Sequence, residues 1–159
     1  TSFHNLICLR IAFFFMQGLP KKHFKAFMEN LKVQIPGQET YYYPDIMVVN
    51  HPDDLNSKYI MRHPVLIAEV HSDSTRYADR NEKWADYQKI PSLQYYLMVE
   101  PEQMVVELFA RDGKKGWTST VFTRPQDSVA LPELGLSLPL ASRLVLTRST
   151  ARPSPCRPS

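Results

Sequence analysis

Apolar residues fall in clusters whose spacing separates one long helix from a series of short strands. The first cluster runs from His4-Asn5 through Leu6-Ile7-Cys8-Leu9-Arg10-Ile11-Ala12-Phe13-Phe14-Phe15-Met16. It is apolar on nearly every face, broken by Arg10 and stopped by Gly18-Leu19-Pro20. That pattern predicts a helix over residues 4–17, buried against a sheet. A bilayer span needs about 20 residues, so this run is too short to cross. The chain opens at Thr1, and neither a basic leader nor an A-x-A-like site accompanies the run, so it is read as core rather than as a signal peptide.

Period-two patterns dominate the rest of the chain. Leu31-Lys32-Val33-Gln34-Ile35 alternates apolar and polar, which predicts a half-buried strand, and Pro36-Gly37 is a turn. Two short apolar runs, Tyr41 to Val49 and Pro64 to Val70, flank a polar connection rich in Asn, Pro and Asp, the pattern of two strands joined by a long hairpin connection. A helix is expected from near residue 80, where Asp79 and Glu82 fit a capping box, to Ile90-Pro91. Gln94 to Val99 and Met104 to Phe109, separated by the turn Pro101-Glu102, read as a hairpin that extends the sheet. After the turn at 111–116, Trp117 to Phe122 is another strand. These elements make an α/β (α+β) chain.

The two central strands each carry one acid, Asp45 and Glu69. If they pair antiparallel about a centre near Ser57, residues whose numbers sum to 114 face each other, and Asp45 lies opposite Glu69. Directly opposed residues have Cβ atoms about 4.5–5.5 Å apart, and like charges there are destabilising unless something positive lies between them. A divalent metal is one solution, and hard oxygen ligands suit magnesium or manganese. A single acid in a strand more often points to solvent. Two in register, followed by a lysine, favour a shared site. That lysine is Lys83, expected in the first helical turn on the face it shares with Tyr87, four residues on. The helix dipole does not favour a cation there, so Lys83 faces either bulk water or the carboxylates.

Composition narrows the reading. At 159 residues, with 43% apolar and 22% charged residues, the chain is one domain with a full core. The net charge of +3 is carried by the C-terminal end, where Arg143, Arg148, Arg152 and Arg157 occur without an acid; the rest sums to −1. Total charge therefore gives no support for nucleic-acid binding, although a local basic groove is compatible with it. Lys21, Lys22 and Lys25 are read as a solvated face before a phosphate contact, and Tyr41–Tyr43 as strand residues before base-stacking ones. Cys8 and Cys156 sit at opposite ends, which is no disulfide framework and suits a reducing cytoplasm. His51, Asp53, Asp54 and His63 in the 50–63 connection lack zinc-type spacing. Residues 141–159, rich in Ser, Thr, Pro and Arg, are expected to be a disordered arm.

Tyr42-Tyr43-Pro44-Asp45, then Ala68-Glu69-Val70 with Ser72 to Thr75, then Asp79-Arg80 to Lys83 and Tyr87, resembles the Uma family of endonucleases. That family belongs to the PD-(D/E)xK nuclease superfamily. The resemblance spans roughly residues 4–140, and Leu131 to Leu138 is similar to the family's closing segment. It implies a restriction-endonuclease-like fold over 1–140, with a mixed central β-sheet flanked by helices. The implied activity is metal-dependent hydrolysis of DNA phosphodiester bonds, with magnesium or manganese as cofactor. Asp45, Glu69 and the backbone carbonyl of Val70 would be the metal ligands, with Lys83 as the catalytic cation. In the superfamily the lysine usually lies two residues after the acid. His71 holds that place here, and Lys83 on the following helix matches the family's displaced lysine.

The implied partner is DNA, not a membrane, and a homodimer is the analogy for cutting both strands. Relatives begin with a helix and a hairpin ahead of this point, so the chain is expected to be N-terminally incomplete, and Asn30 stands where relatives carry an acid. Two other readings stay open: a noncatalytic nuclease remnant, and a module that grips nucleic acid without cutting it.

Overall fold

The computed structural model describes residues 1–71, 77–113 and 116–143, with the backbone alone for 77–79, 142 and 143. The helices are α1 (Ser2–Gly18), α2 (Pro52–Asn56), α3 (Tyr77–Tyr87) and α4 (Leu140–Arg143). The strands are β1 (Lys25–Met28), β2 (Lys32–Gln34), β3 (Tyr41–Tyr42), β4 (Ile46–Val49), β5 (Ile60–Met61), β6 (Pro64–Val70), β7 (Tyr95–Glu100), β8 (Val105–Asp112), β9 (Gly116–Phe122), β10 (Ser128–Leu131) and β11 (Leu136–Pro139). Among the described residues the main sheet has the order β1-β4-β6-β7-β8-β9; β3-β2-β5 form a second sheet and β10-β11 a hairpin. Only β6 and β7 pair in parallel within the main sheet, the others being antiparallel. This is an α+β fold with a mixed central sheet.

The middle of that sheet is buried on both faces, which is why β6 is apolar at nearly every position. All seven residues of β6 are buried. Burying each Val, Leu or Ile contributes about 1.5–3 kcal/mol. The pleat sends alternate residues to two cores. Ile46, Val48, Leu66 and Ala68 pack with Ile7, Ile11 and Phe15 of α1. Met47, Val49 and Ile67 face Tyr87, Ile90 and Tyr96.

The expected register is observed. Ile46 pairs with Ala68, Met47 with Ile67 and Val48 with Leu66, before an irregularity brings Val49 opposite Pro64. The extra residue, Val65, joins the α1-side core beside Leu66, as a bulge that breaks the alternation would require.

Three local expectations change. The run from Tyr41 to Val49 is two strands in different sheets, because Pro44 has no N–H to continue a ladder. Helix α1 is half-buried: Leu9, Phe13 and Met16 are at least 51% exposed, while Ile7, Cys8, Ile11 and Phe15 are fully buried. Its last residue, Gly18, lies where a Cβ would come within 2.9 Å of Leu136, so a glycine lets the helix end approach β11. Helix α3 is already formed at Tyr77, so Asp79 lies inside it rather than at its cap, and Lys83 is in its second turn. The arm expected over 141–159 begins inside helix α4, which runs to Arg143; the rest of it, and residues 72–75, lie outside the described residues. Among the described residues no helix is long and apolar enough to cross a membrane.

Candidate active site

Asp45 enters the site at the break between the two sheets. Pro44 ends the β3 direction, and β4 begins one residue after Asp45. Asp45 Oδ2 accepts from the backbone N–H of Val70 at 2.8 Å, which ties the acid to the far end of β6. Glu69 precedes Val70 and is 3% exposed. Its carboxylate accepts from the backbone N–H of Asp45. Each acid thus takes backbone across the strand pair, Asp45 that of Val70 and Glu69 that of Asp45. The sum-114 register therefore brings Asp45 and Glu69 together.

Helix α3 closes the other side of Glu69. Tyr87 Oη donates to Glu69 Oε1 at 2.8 Å, and Lys83 Nζ lies 3.6 Å from the same oxygen. Their spacing of four puts both on one helix face. The side chain of Lys83 is 19% exposed, so of the two alternatives it takes the one facing the carboxylates. Two anchors seat the helix. Arg80 donates to Glu100 at 2.8 Å and to Glu107 at 2.7 Å, while Trp84 stacks on Tyr96 and tilts against Phe109, with centroids 5.2 and 4.3 Å away.

The electrostatics of Glu69 are unusual for a glutamate. Burial, followed by the attraction of Lys83 and the repulsion of Asp45, sets its pKa, with Tyr87 and the Asp45 N–H opposing the rise; the net result is a carboxyl pushed from 4.5 up to about 7. A buried acid beside a second acid carries more negative charge than one lysine relieves. Two carboxylates are hard oxygen donors, the chemistry that suits a divalent magnesium or manganese ion. His71, two residues after Glu69, has its pKa lowered by burial and then by Arg80 and Lys83. It is thereby kept neutral and is no substitute for a cation.

Known proteins resemble the chain in family and in fold. A family model described as "Putative restriction endonuclease", Uma2, matches residues 1–141. The chain belongs to the Uma2 family. Two proteins of Synechocystis, both described as uncharacterised, are each 30% identical to it. One match covers 74% of this chain and 67% of the relative; the other covers 84% and 70%. A crystal structure from Anabaena variabilis, titled a "putative nuclease belonging to DUF820", superposes with a TM-score of 0.73 at 16% identity, over 91% of this chain and 83% of that one. At that identity the likeness shows a shared fold.

Three features of this Uma2 chain escape sequence reasoning. Tyr87 reads as a packing residue, yet its hydroxyl holds Glu69. His4 reads as the polar start of an apolar helix, yet its Nε2 lies 3.3 Å from Asp45 Oδ2. The spacing of His4 and Cys8 by four was the available signal. In the 50–63 connection, Asp54 is an anchor: 1% exposed, it accepts from the N–H groups of Arg62 and His63. His51 and His63 stack at 3.9 Å and 20°. With Asp53 they bring three ligand atoms within 4.8 Å of one another. Asn30, in the turn after β1, is in the left-handed region with φ of 60°, a conformation that Asn tolerates.

Proposed function

We propose that the chain is a metal-dependent endonuclease that hydrolyses phosphodiester bonds of DNA. Asp45, Glu69 and the carbonyl of Val70 would hold a magnesium or manganese ion, with Lys83 as the catalytic cation. The observation that carries this reading is the buried Glu69 carboxylate, pushed up to about 7, held beside Asp45 and facing Lys83 at 3.6 Å. A bound cation would favour the ionised form of such an acid.

The ion, when bound, supplies Lewis-acid polarisation of the phosphate and acidifies water. The chain's own residues do the rest. The N–H groups of Val70 and Asp45 fix the two carboxylates so that they need not reorganise. Tyr87 holds one oxygen of Glu69 from the buried side. Lys83 stabilises charge that builds on the phosphoryl oxygens, an effect worth about 3–4 kcal/mol for a well-placed group. Hydrolases lower their barriers by about 8–23 kcal/mol, so the lysine alone does not suffice and metal removal abolishes cleavage. Cutting both strands of a duplex is the work of a homodimer in this reading, acting in the cytoplasm.

The test is nicking and linearisation of supercoiled plasmid with magnesium or manganese, for the intact chain and for Glu69→Ala. Cleavage that disappears with chelator and in Glu69→Ala supports the proposal. Equal cleavage by a clean Glu69→Ala preparation refutes it. DNA retention without any cleavage by the intact chain would replace it with a binding module, and the absence of both with a noncatalytic remnant.

A further inference from the structure

We propose that His4, Cys8 and Asp45 form a second kind of metal site, a soft-donor site that takes zinc(II) or a chemically similar divalent ion. His4 and Cys8 are four residues apart on α1 and share one helix face. The helix start is fixed there, because the hydroxyl of Thr1 accepts from the N–H of His4 at 3.2 Å. Asp45 arrives from the start of β4. One ligand atom from each of the three lies within 4.8 Å of the other two.

The separations suit a shared ion. His4 Nε2 is 3.3 Å from Asp45 Oδ2 and 3.9 Å from Cys8 Sγ. Around tetrahedral zinc, with bonds of about 2.0–2.3 Å, the N···O edge is about 3.4 Å and the S···N edge about 3.6 Å. The third edge, from Cys8 Sγ to the Asp45 carboxylate, lies within 4.8 Å, and an inward movement of the cysteine side chain closes the set.

Donor chemistry separates this site from the carboxylate pair. Sulfur and imidazole select zinc-like ions, whereas magnesium and manganese prefer oxygen. Cys8 is fully buried, and its thiol is pushed up to about 12 by burial and then by Asp45 and other nearby acids. It is therefore a poor nucleophile, and reactive chemistry does not explain its place. A dication offsets the charges of one thiolate and one carboxylate, with the thiol proton released to solvent on binding. Access is open from outside, since the side chains of His4 and Asp45 are 22% and 20% exposed. Asp45 is common to both sites, so zinc would antagonise the magnesium-dependent reaction. That consequence rests on the proposed function; the binding itself does not.

The experiment is a cobalt(II) titration of the full chain in a Cys156→Ser background, which leaves Cys8 as the single thiol, followed by displacement with zinc. The expected result is a thiolate-to-cobalt charge-transfer band that zinc removes. Cys8→Ala should abolish the band, and Glu69→Ala, which breaks the carboxylate pair, should keep it. His4→Gln, at a partly exposed position that does not threaten folding, should weaken zinc binding about a hundredfold or more. No band in the parent, a band that survives in Cys8→Ala, or unchanged zinc affinity in His4→Gln would each overturn the proposal. A zinc-displaceable band in a chain that never cleaves DNA would refute the nuclease reading and leave this site standing.

Discussion

Replacing Glu69 with glutamine should make the metal-free protein more stable at alkaline pH. Glutamine resembles the protonated acid: it keeps an oxygen for the Tyr87 hydroxyl, which donates to Glu69 at 2.8 Å, and removes the charge that Asp45 repels. The native carboxyl has its pKa raised from 4.5 to about 7, so folding favours its protonated form. The stability this acid contributes is complete below about pH 4.5 and is lost as pH rises through about 7. At about 1.4 kcal/mol per pH unit, the loss above pH 7 is about 3.5 kcal/mol. For a chain of this length that corresponds to roughly 7–14 °C in melting temperature. Wild type and Glu69→Gln should therefore melt together near pH 4.5 and diverge at pH 8, with the variant higher, in chelator throughout. Manganese should reverse the order at pH 8 once it reaches about a thousand times Kd, where binding adds about 4.1 kcal/mol to the protein that holds it. A variant no more stable than wild type at pH 8 in chelator would refute this reasoning, since it would mean that Glu69 is not a strained, charge-repelled acid.

Three other substitutions probe the same structure. Tyr87→Phe leaves a buried carboxylate oxygen without its donor and should cost about 1–3 kcal/mol in urea unfolding at pH 8. Lys83→Met should keep manganese binding in a calorimetric titration but lower plasmid cleavage by about a hundredfold or more. Arg80→Met breaks the paired contacts to Glu100 and Glu107, each a partly buried charge-assisted bond worth about 1.5–3 kcal/mol. It should loosen α3, read as faster hydrogen exchange of residues 80–87.

Much of the fold and of the candidate site is legible in the sequence, and the reasons are local. The β4–β6 register follows from two apolar runs with one acid each, because a slip by one residue would send every side chain to the opposite core and part Asp45 from Glu69. Lys83 is legible because it stands on the next helix in a family motif. Other features depend on contacts between distant segments. The strand β1 was not legible, since Phe24 to Phe27 is too short a run to show a period. The change of sheet at Pro44 has a visible cause, but its direction is set by where β2 lies. Tyr87 looks like any aromatic on an amphipathic helix until Glu69 is placed against it. His4 lies 41 residues from Asp45 in sequence, and its helix is read for its apolar content, so nothing local joins the two.

The most direct test of the central claim is a calorimetric manganese titration of the chain as it stands, beside Asp45→Ala. Wild type should bind one or two ions, and Asp45→Ala, shown folded by its melting curve, should bind none with comparable affinity. Equal binding by both proteins, or none by wild type, would contradict the claim that Asp45 and Glu69 form a metal centre.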